Sequence, residues 1–331
     1  MDGIKRLNLL DLSSNNFSRE LSDDFVNCCF LLELLRLSDN KFRGQIFPKH
    51  MNLTQLQWLY LDNNNFSGKI GNGLLNATFL IVLDINNNKV SGQIPHWIDK
   101  FSSIFCLLMS NNLLEGSIPI QLSNLESFLV LDVSENRLLG SLAHDFNLSV
   151  DYLYMQKNAL NGSIPKSLFE NSKLITVDLR GNKFSRNIDP RSFNDHLILH
   201  FLLLSNNHLQ GNILDQLCQL RNLDLLDLSH NELNGSILSC FTNLTCWSMV
   251  GEIDCKPLIS EYSWGIDIDD KLDFVYDSFS FMKIFSISLR PQIDHKVEFT
   301  MKNRLESYKG YTFGHVSGLD LPDNELTSKI P

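Results

Sequence analysis

Leu107-Leu108-Met109-Ser110-Asn111-Asn112-Leu113-Leu114-Glu115-Gly116-Ser117-Ile118-Pro119 is one turn of a pattern that runs through most of the chain. Its second asparagine recurs as Asn15, Asn40, Asn64, Asn88, Asn112, Asn136, Asn158, Asn182, Asn207 and Asn231, at intervals of 25, 24, 24, 24, 24, 22, 24, 25 and 24 residues. Around each stands the frame L-x-x-L-x-L-x-x-N-x-L/F-x-G-x-I. A fixed period in this range marks a solenoid, in which each unit stacks on its neighbours and the core is a growing column. Ile104, Leu107, Met109, Leu114 and Ile118 are expected to point inward. Leu108 alternates with Leu107 and Met109, the period of a short strand with one buried face. The Asn112 amide is placed to satisfy backbone groups that the turn leaves open. Gly116 frees the backbone where the chain passes close to its neighbour. Pro119 suits an extended outer segment that donates no ladder bond.

The element Gly-x-Ile-Pro is complete at residues 92–95, 116–119 and 162–165, and lacks its glycine at Arg19, Arg186 and Ser328. This long unit resembles the plant-specific leucine-rich repeat over residues 7–237 and again over 316–331. The resemblance implies an α/β-type repeat solenoid: a right-handed superhelix of about 11 repeats with a parallel β-sheet on its concave face.

The rhythm breaks once. After Asn231 the next frame asparagine is Asn324, 93 residues on. The expected organisation is ten repeats over 1–237, an insertion over 238–312, and one further, truncated repeat over 313–331. The insertion is acidic from Glu252 to Asp277, basic from Lys283 to Lys309, and dense in aromatics. Its end, Lys296-Val297-Glu298-Phe299-Thr300-Met301-Lys302-Asn303-Arg304 with Ser307-Tyr308-Lys309-Gly310 and Ser317-Gly318-Leu319-Asp320-Leu321, resembles the island domain of plant receptor-like proteins. These are cell-surface leucine-rich repeat receptors without a kinase domain. The resemblance implies recognition of a peptide, protein or glycan ligand on the extracellular side of the plasma membrane. Signalling, in pathogen perception and defence or in development, would pass through partner receptor kinases. The family also carries a signal peptide, terminal caps, a membrane helix and a tail. None is visible here, and the chain reads as a piece of a longer ectodomain. Two other readings stand beside it: a secreted inhibitor of cell-wall-degrading enzymes, which the insertion disfavours, and an inactive truncated product.

Composition narrows the partners. The formal net charge is -10, from 38 acidic and 28 basic side chains, which disfavours nonspecific binding to nucleic acid or anionic membranes. No apolar run reaches the about 18 residues of a membrane span. No G-x-S-x-G, H-E-x-x-H or phosphate-loop motif occurs, so no enzyme activity, metal or cofactor is expected. His196 and His200 read as a surface pair.

The strand position between the two frame leucines faces the concave surface. It holds Asp11, Arg36, Tyr60, Asp84, Leu108, Asp132, Tyr154, Asp178, Leu203, Asp227 and Asp320. Aspartate is the residue the resembled family places there. The departures, Arg36, Tyr60, Leu108, Tyr154 and Leu203, are the ligand-contact candidates, with Asp62, Gln156, Lys157, Arg180 and His230 beside them. Aromatics and arginine concentrate binding energy at interfaces. The insertion adds Tyr262, Trp264 and Tyr276. Of seven cysteines, Cys218 and Cys240 fall near each other on adjacent rungs, where a disulfide is plausible. Cys246–Cys255 is a second candidate pair, and Cys28, Cys29 and Cys106 read as buried thiols. Glycosylation sequons begin at Asn16, Asn52, Asn65, Asn76, Asn147, Asn161, Asn234 and Asn243, which supports a secretory history.

Overall fold

The computed structural model describes residues 7–22, 25, 30–46, 53–126, 128–193, 197–243, 296–301, 304–309 and 318–327. Cys28, Cys29, Asn52, His196, Cys246, Cys255, Tyr262, Trp264 and Tyr276, and the Asn243 side chain, lie outside the described residues.

Each repeat contributes one three-residue strand to a parallel sheet of 11 strands, from Leu9–Asp11 through Cys106–Leu108 to Leu225–Asp227 and Gly318–Asp320. Register follows the frame: Leu107 lies opposite Leu83 on one side and Leu131 on the other. Side chains alternate across a strand, so the frame leucines point into one continuous core while the residues between them line the concave face. Leu83, Leu107 and Leu131 are fully buried, as are Leu56, Leu59 and Leu153. The core runs from Leu32 to Phe241. Ile104, Leu107, Met109, Leu114 and Ile118 all lie in it.

A second parallel sheet, of ten strands, was not legible in the repeat pattern. It forms where the chain leaves the asparagine turn, at segments such as Leu113–Gly116 and Arg137–Ser141. Beyond it, short 3-10 helices such as His96–Lys100 and Ile120–Asn124 close most coils; the one between Arg137–Ser141 and Tyr152–Tyr154 has none. The frame glycines hold this corner. Gly116 has φ +78°, and a Cβ there would lie 2.9 Å from the Gln93 side chain of the preceding repeat.

The asparagines form a hydrogen-bonded ladder. Asn112 Nδ2 donates to the carbonyls of Ile85 (2.9 Å), Ser110 (3.0 Å) and Met109 (3.3 Å), and Oδ1 accepts from the Val90 amide at 2.9 Å. One side chain thus ties its own turn to the preceding repeat, and neither end of the amide is left unpaired in the interior.

The stack resumes after the long gap. Gly318–Asp320 pairs in parallel with Leu225–Asp227, and Asn324 continues the ladder to Leu228 O (2.9 Å) and from Leu233 N (3.1 Å). Within the insertion, Lys296–Met301 and Arg304–Lys309 form an antiparallel pair. Cys218 and Cys240, on the consecutive 3-10 helices Asp215–Gln219 and Ser239–Asn243, are joined as a disulfide with a Cα–Cα distance of 5.9 Å.

Candidate ligand-binding face

The concave face carries more apolar surface than its central column announces. Tyr60, Val82, Cys106, Leu108, Val130 and Tyr154 form a second hydrophobic cluster, separate from the main core. Trp58, Ile81, Phe105, Leu129 and Tyr152 pack against it while keeping part of their surface in solvent. These residues occupy the two positions before the first frame leucine of the strand. They pack beside the central column on its concave side.

This arrangement changes the reading of the individual candidates. Tyr60, Leu108 and Leu203 are 4%, 1% and 1% exposed, and Tyr154 is little more accessible at 9%. A ligand would therefore meet their neighbours first. Leu108 was expected to face solvent opposite the buried Leu107 and Met109. It is buried as well, because side chains from adjacent strands close over it. Two of the missed residues had a signal in the sequence: Trp58 and Tyr152 are apolar at positions that a one-sided strand would give to solvent, whereas Ile81, Phe105 and Leu129 immediately precede their strands, where alternation assigns no face.

The polar candidates surround this patch. The Arg36 guanidinium lies over the Tyr60 ring, 5.7 Å from its centroid, a cation–π arrangement. Asp62 accepts from Ser38 Oγ (2.5 Å) and Asn63 Nδ2 (2.9 Å). Arg180 is committed to Asp178 through two bonds, Nε to Oδ1 at 2.9 Å and Nη2 to Oδ2 at 2.6 Å. Gln156 is half-buried, with its Oε1 enclosed and without a hydrogen-bond partner among the described residues. Lys157 pairs with Glu135 at 2.7 Å and His230 with Asp323 at 2.9 Å, both at the exposed edge of the turn. His200 is not a surface residue: it is largely buried, and its Nδ1 lies 2.6 Å from Asp224 Oδ2.

The aspartates of the central column brace the turns that follow them. Oδ1 of Asp84, Asp132, Asp178 and Asp227 accepts the amide two residues on, at 3.0, 3.0, 3.1 and 3.1 Å. Burial, the largest influence, raises the carboxyl pKa of Asp84 well above the ordinary value, with nearby Asp62 adding to it. Asp62 and Asp132 are also raised by burial. Asp151, in the patch beside Tyr152, is pushed up to about 6 by burial, and so is Asp320. The Cys106 thiol is buried and pushed up to about 12, which leaves it unreactive at neutral pH.

The sequon asparagines that are described, Asn16, Asn65, Asn76, Asn147, Asn161 and Asn234, are all exposed, and none lies on a concave strand. Asn65, Asn161 and Asn234 sit on strands of the second sheet. Among the described residues there is no cluster able to hold a metal ion, and no helix long and apolar enough to cross a membrane.

Comparison with known proteins agrees with this geometry. The Leucine Rich Repeat family matches at residues 6–28, 55–77, 79–101 and 222–244. Receptor-like protein 45 of Arabidopsis thaliana is 38% identical over 121 residues, which is 35% of this chain and 12% of that protein. Putative receptor-like protein 8 of the same plant is 39% identical over 127 residues, 35% of this chain and 11% of the relative. The matched stretches thus span about an eighth of these relatives. Among solved structures, the ectodomain of the Arabidopsis receptor kinase HAESA, in complex with an extended IDA peptide hormone ligand, superposes with a TM-score of 0.65 at 27% identity, covering 75% of this chain and 41% of that one. The plant peptide hormone receptor RGFR1 in complex with RGF2 gives 0.62 at 29%, covering 74% and 43%. Receptors, not enzymes, are what the chain resembles: it is a leucine-rich repeat solenoid of the kind found in plant receptor-like proteins.

Proposed function

We propose that this chain is the ligand-recognising part of a plant receptor-like protein, acting outside the plasma membrane in pathogen perception and signalling through partner receptor kinases. The observation that carries it is the concave patch of Trp58, Ile81, Phe105, Leu129 and Tyr152, which keeps apolar surface in solvent on a rigid parallel sheet. Soluble proteins hold such patches chiefly where something binds. In the solved relatives named above, a peptide hormone is the bound partner. The exposed sequons outside the concave strands agree with a secreted, glycosylated ectodomain whose inner face stays clear. Cys246–Cys255 and contacts from Tyr262, Trp264 and Tyr276 belong to the same reading of residues 238–312 as an island that meets ligand or co-receptor.

The test uses fractionated pathogen culture filtrates and the purified chain. A fraction should raise the thermal midpoint of the wild type, because ligand binding to the folded state stabilises it, but not that of Trp58→Ser or Tyr152→Ser. The same fraction should promote co-purification of a receptor kinase from plant membranes. Shifts indifferent to every concave substitution would remove this face from the reading. Loss of kinase association alone would remove the signalling route.

A further inference from the structure

The second sheet carries a charge separation that the acidic chain as a whole conceals. On the first coils, its outer side and the turns leading into it hold Arg19, Lys41, Arg43, Lys69 and Lys89, all exposed, with Glu20 as the carboxylate among them. The acids Asp11, Glu33, Asp39, Asp62 and Asp84 of the same coils lie on the concave strands, beside them or in the turns that follow. Among the described residues none of the five cations makes an ion pair. Strand alternation sets the pattern. Phe42, Phe66 and Val90 point into the core, so Lys41 and Arg43, then Asn65, Ser67 and Lys69, then Lys89 and Ser91 share the outer face. The strands Arg43–Gln45, Asn65–Lys69 and Lys89–Gly92 are neighbours in parallel, roughly 4.8 Å apart. The frame glycines keep the surface between these side chains low. A Cβ on Gly92 would lie 2.9 Å from Lys69 Cγ, so the lysine stem runs over this glycine onto the following coil; Gln45 lies likewise over Gly68 and Gln93 over Gly116. The result is a shallow stripe across consecutive strands, with cations interleaved among amides and hydroxyls. Like charges held this close repel one another, and a ligand that neutralises them removes that cost.

We propose that this stripe binds a linear acidic polysaccharide, a polyuronate whose rings each offer one carboxylate and several hydroxyls. A pyranose ring in such a chain advances by a distance similar to the strand spacing, so successive carboxylates meet successive coils. The cations take the carboxylates through charge-assisted hydrogen bonds, while Gln45, Asn65, Ser67, Ser91 and Gln93 take ring hydroxyls. A single-stranded nucleic acid needs aromatic faces on which its bases stack, and no outward position of these three strands carries one. A membrane is a broad anionic plane, whose approach the net charge of -10 opposes; a slender chain meets only the stripe. Asn65 begins a sequon, and a glycan there would lie across the stripe. The two uses of this face exclude each other, and the site belongs to the chain unglycosylated at Asn65. Nothing in this assignment depends on what the concave face binds.

The experiment titrates the whole chain, expressed without N-glycans and in calcium-free buffer, with four probes: a fluorescent oligogalacturonate, its methyl ester, an oligothymidylate and phosphatidylserine vesicles. The oligogalacturonate should bind most tightly, and added salt should weaken it steeply because the charges are exposed. Its methyl ester keeps the rings and loses the charge, and should not bind. Arg43→Glu and Lys69→Glu should each weaken the oligogalacturonate by about tenfold or more, the range expected for a lost hydrogen bond between charged groups. Lys183→Glu makes the same change of charge on a distant strand of the same sheet and should leave the affinity alone. These side chains are exposed, so the thermal midpoints should stay at the wild-type value; Arg43→Gln with Lys69→Gln repeats the test without charge reversal. Absent oligogalacturonate binding, equal binding of the methyl ester, the oligothymidylate or the vesicles, or an equal loss from Lys183→Glu would overturn the proposal. Any of these results would leave the concave recognition face standing, since its own test reads Trp58 and Tyr152 on the other sheet.

Discussion

Asparagine at the turn does what no other side chain of its size can do, because it offers donors and an acceptor at once. Asn112 Nδ2 meets three carbonyls and Oδ1 meets the Val90 amide. Asn112→Ala would orphan buried backbone groups on two adjacent repeats and should cost about 2–4 kcal/mol, read from urea unfolding. Asn112→Asp should be at least as damaging, since it turns an acceptor toward carbonyls; a neutral result for either would refute the ladder's role. Arg186 is the opposite case. It stands where the frame calls for glycine and has φ 70°, a left-handed conformation that costs an L-residue about 1–2 kcal/mol. Glycine there also loses more entropy on folding, so Arg186→Gly should stabilise by a net amount of about 0.5–1 kcal/mol. The missing glycine was legible in the sequence. That the backbone keeps the glycine geometry despite arginine was not, because neighbouring strands impose it through their pairing with this one.

At the scale of elements, the disulfide joins the 3-10 helices of the last two repeats before the insertion. It closes a loop with a sequence separation of 22, for which the chain-entropy account gives about 3 kcal/mol. Cys218→Ser with Cys240→Ser should lower stability by that order, with hydrogen exchange rising first in the strand Leu225–Asp227. Unchanged exchange there would mean that packing alone holds this coil. The inner strands show where pattern reading stopped. A one-sided strand predicts Leu108 at the surface, yet lateral neighbours bury it, and the accessible apolar atoms belong to Phe105 and Ile81 instead. Period-2 alternation tells which face a residue takes, not how much of it the next strand covers. The second sheet escaped notice for a related reason: its strands are two to five residues, most with a glycine inside, too short and irregular to read as strands.

The whole molecule has an acid-leaning stability. Asp84, Asp132, Asp62, Asp151 and Asp320 all have raised pKa values. A carboxyl that holds its proton more tightly when folded than unfolded penalises folding while ionised. The penalty is present above the folded pKa and fades as pH falls toward the unfolded value. For Asp151 and Asp320 that window runs from about 6 down to the ordinary carboxyl value of 3.8. The thermal midpoint should therefore be higher at pH 5 than at pH 7.5. Asp151→Asn should raise it at pH 7.5 and have little effect at pH 4. A midpoint that falls steadily on acidification through this window would contradict the account. Because each repeat touches only its neighbours, these effects should be local, and changes around repeat four should leave exchange near Leu225 unaffected.

The sequence by itself determined the period, the inward leucines, the asparagine ladder and the kinship with leucine-rich repeat receptors, because each depends on residues one repeat apart and recurs often enough to be unmistakable. Only the tertiary structure decided which concave side chains remain accessible and which aspartates find side-chain donors. Those outcomes depend on which residues of adjacent coils meet across the sheet, and a repeat pattern, being the same in every coil, does not specify that.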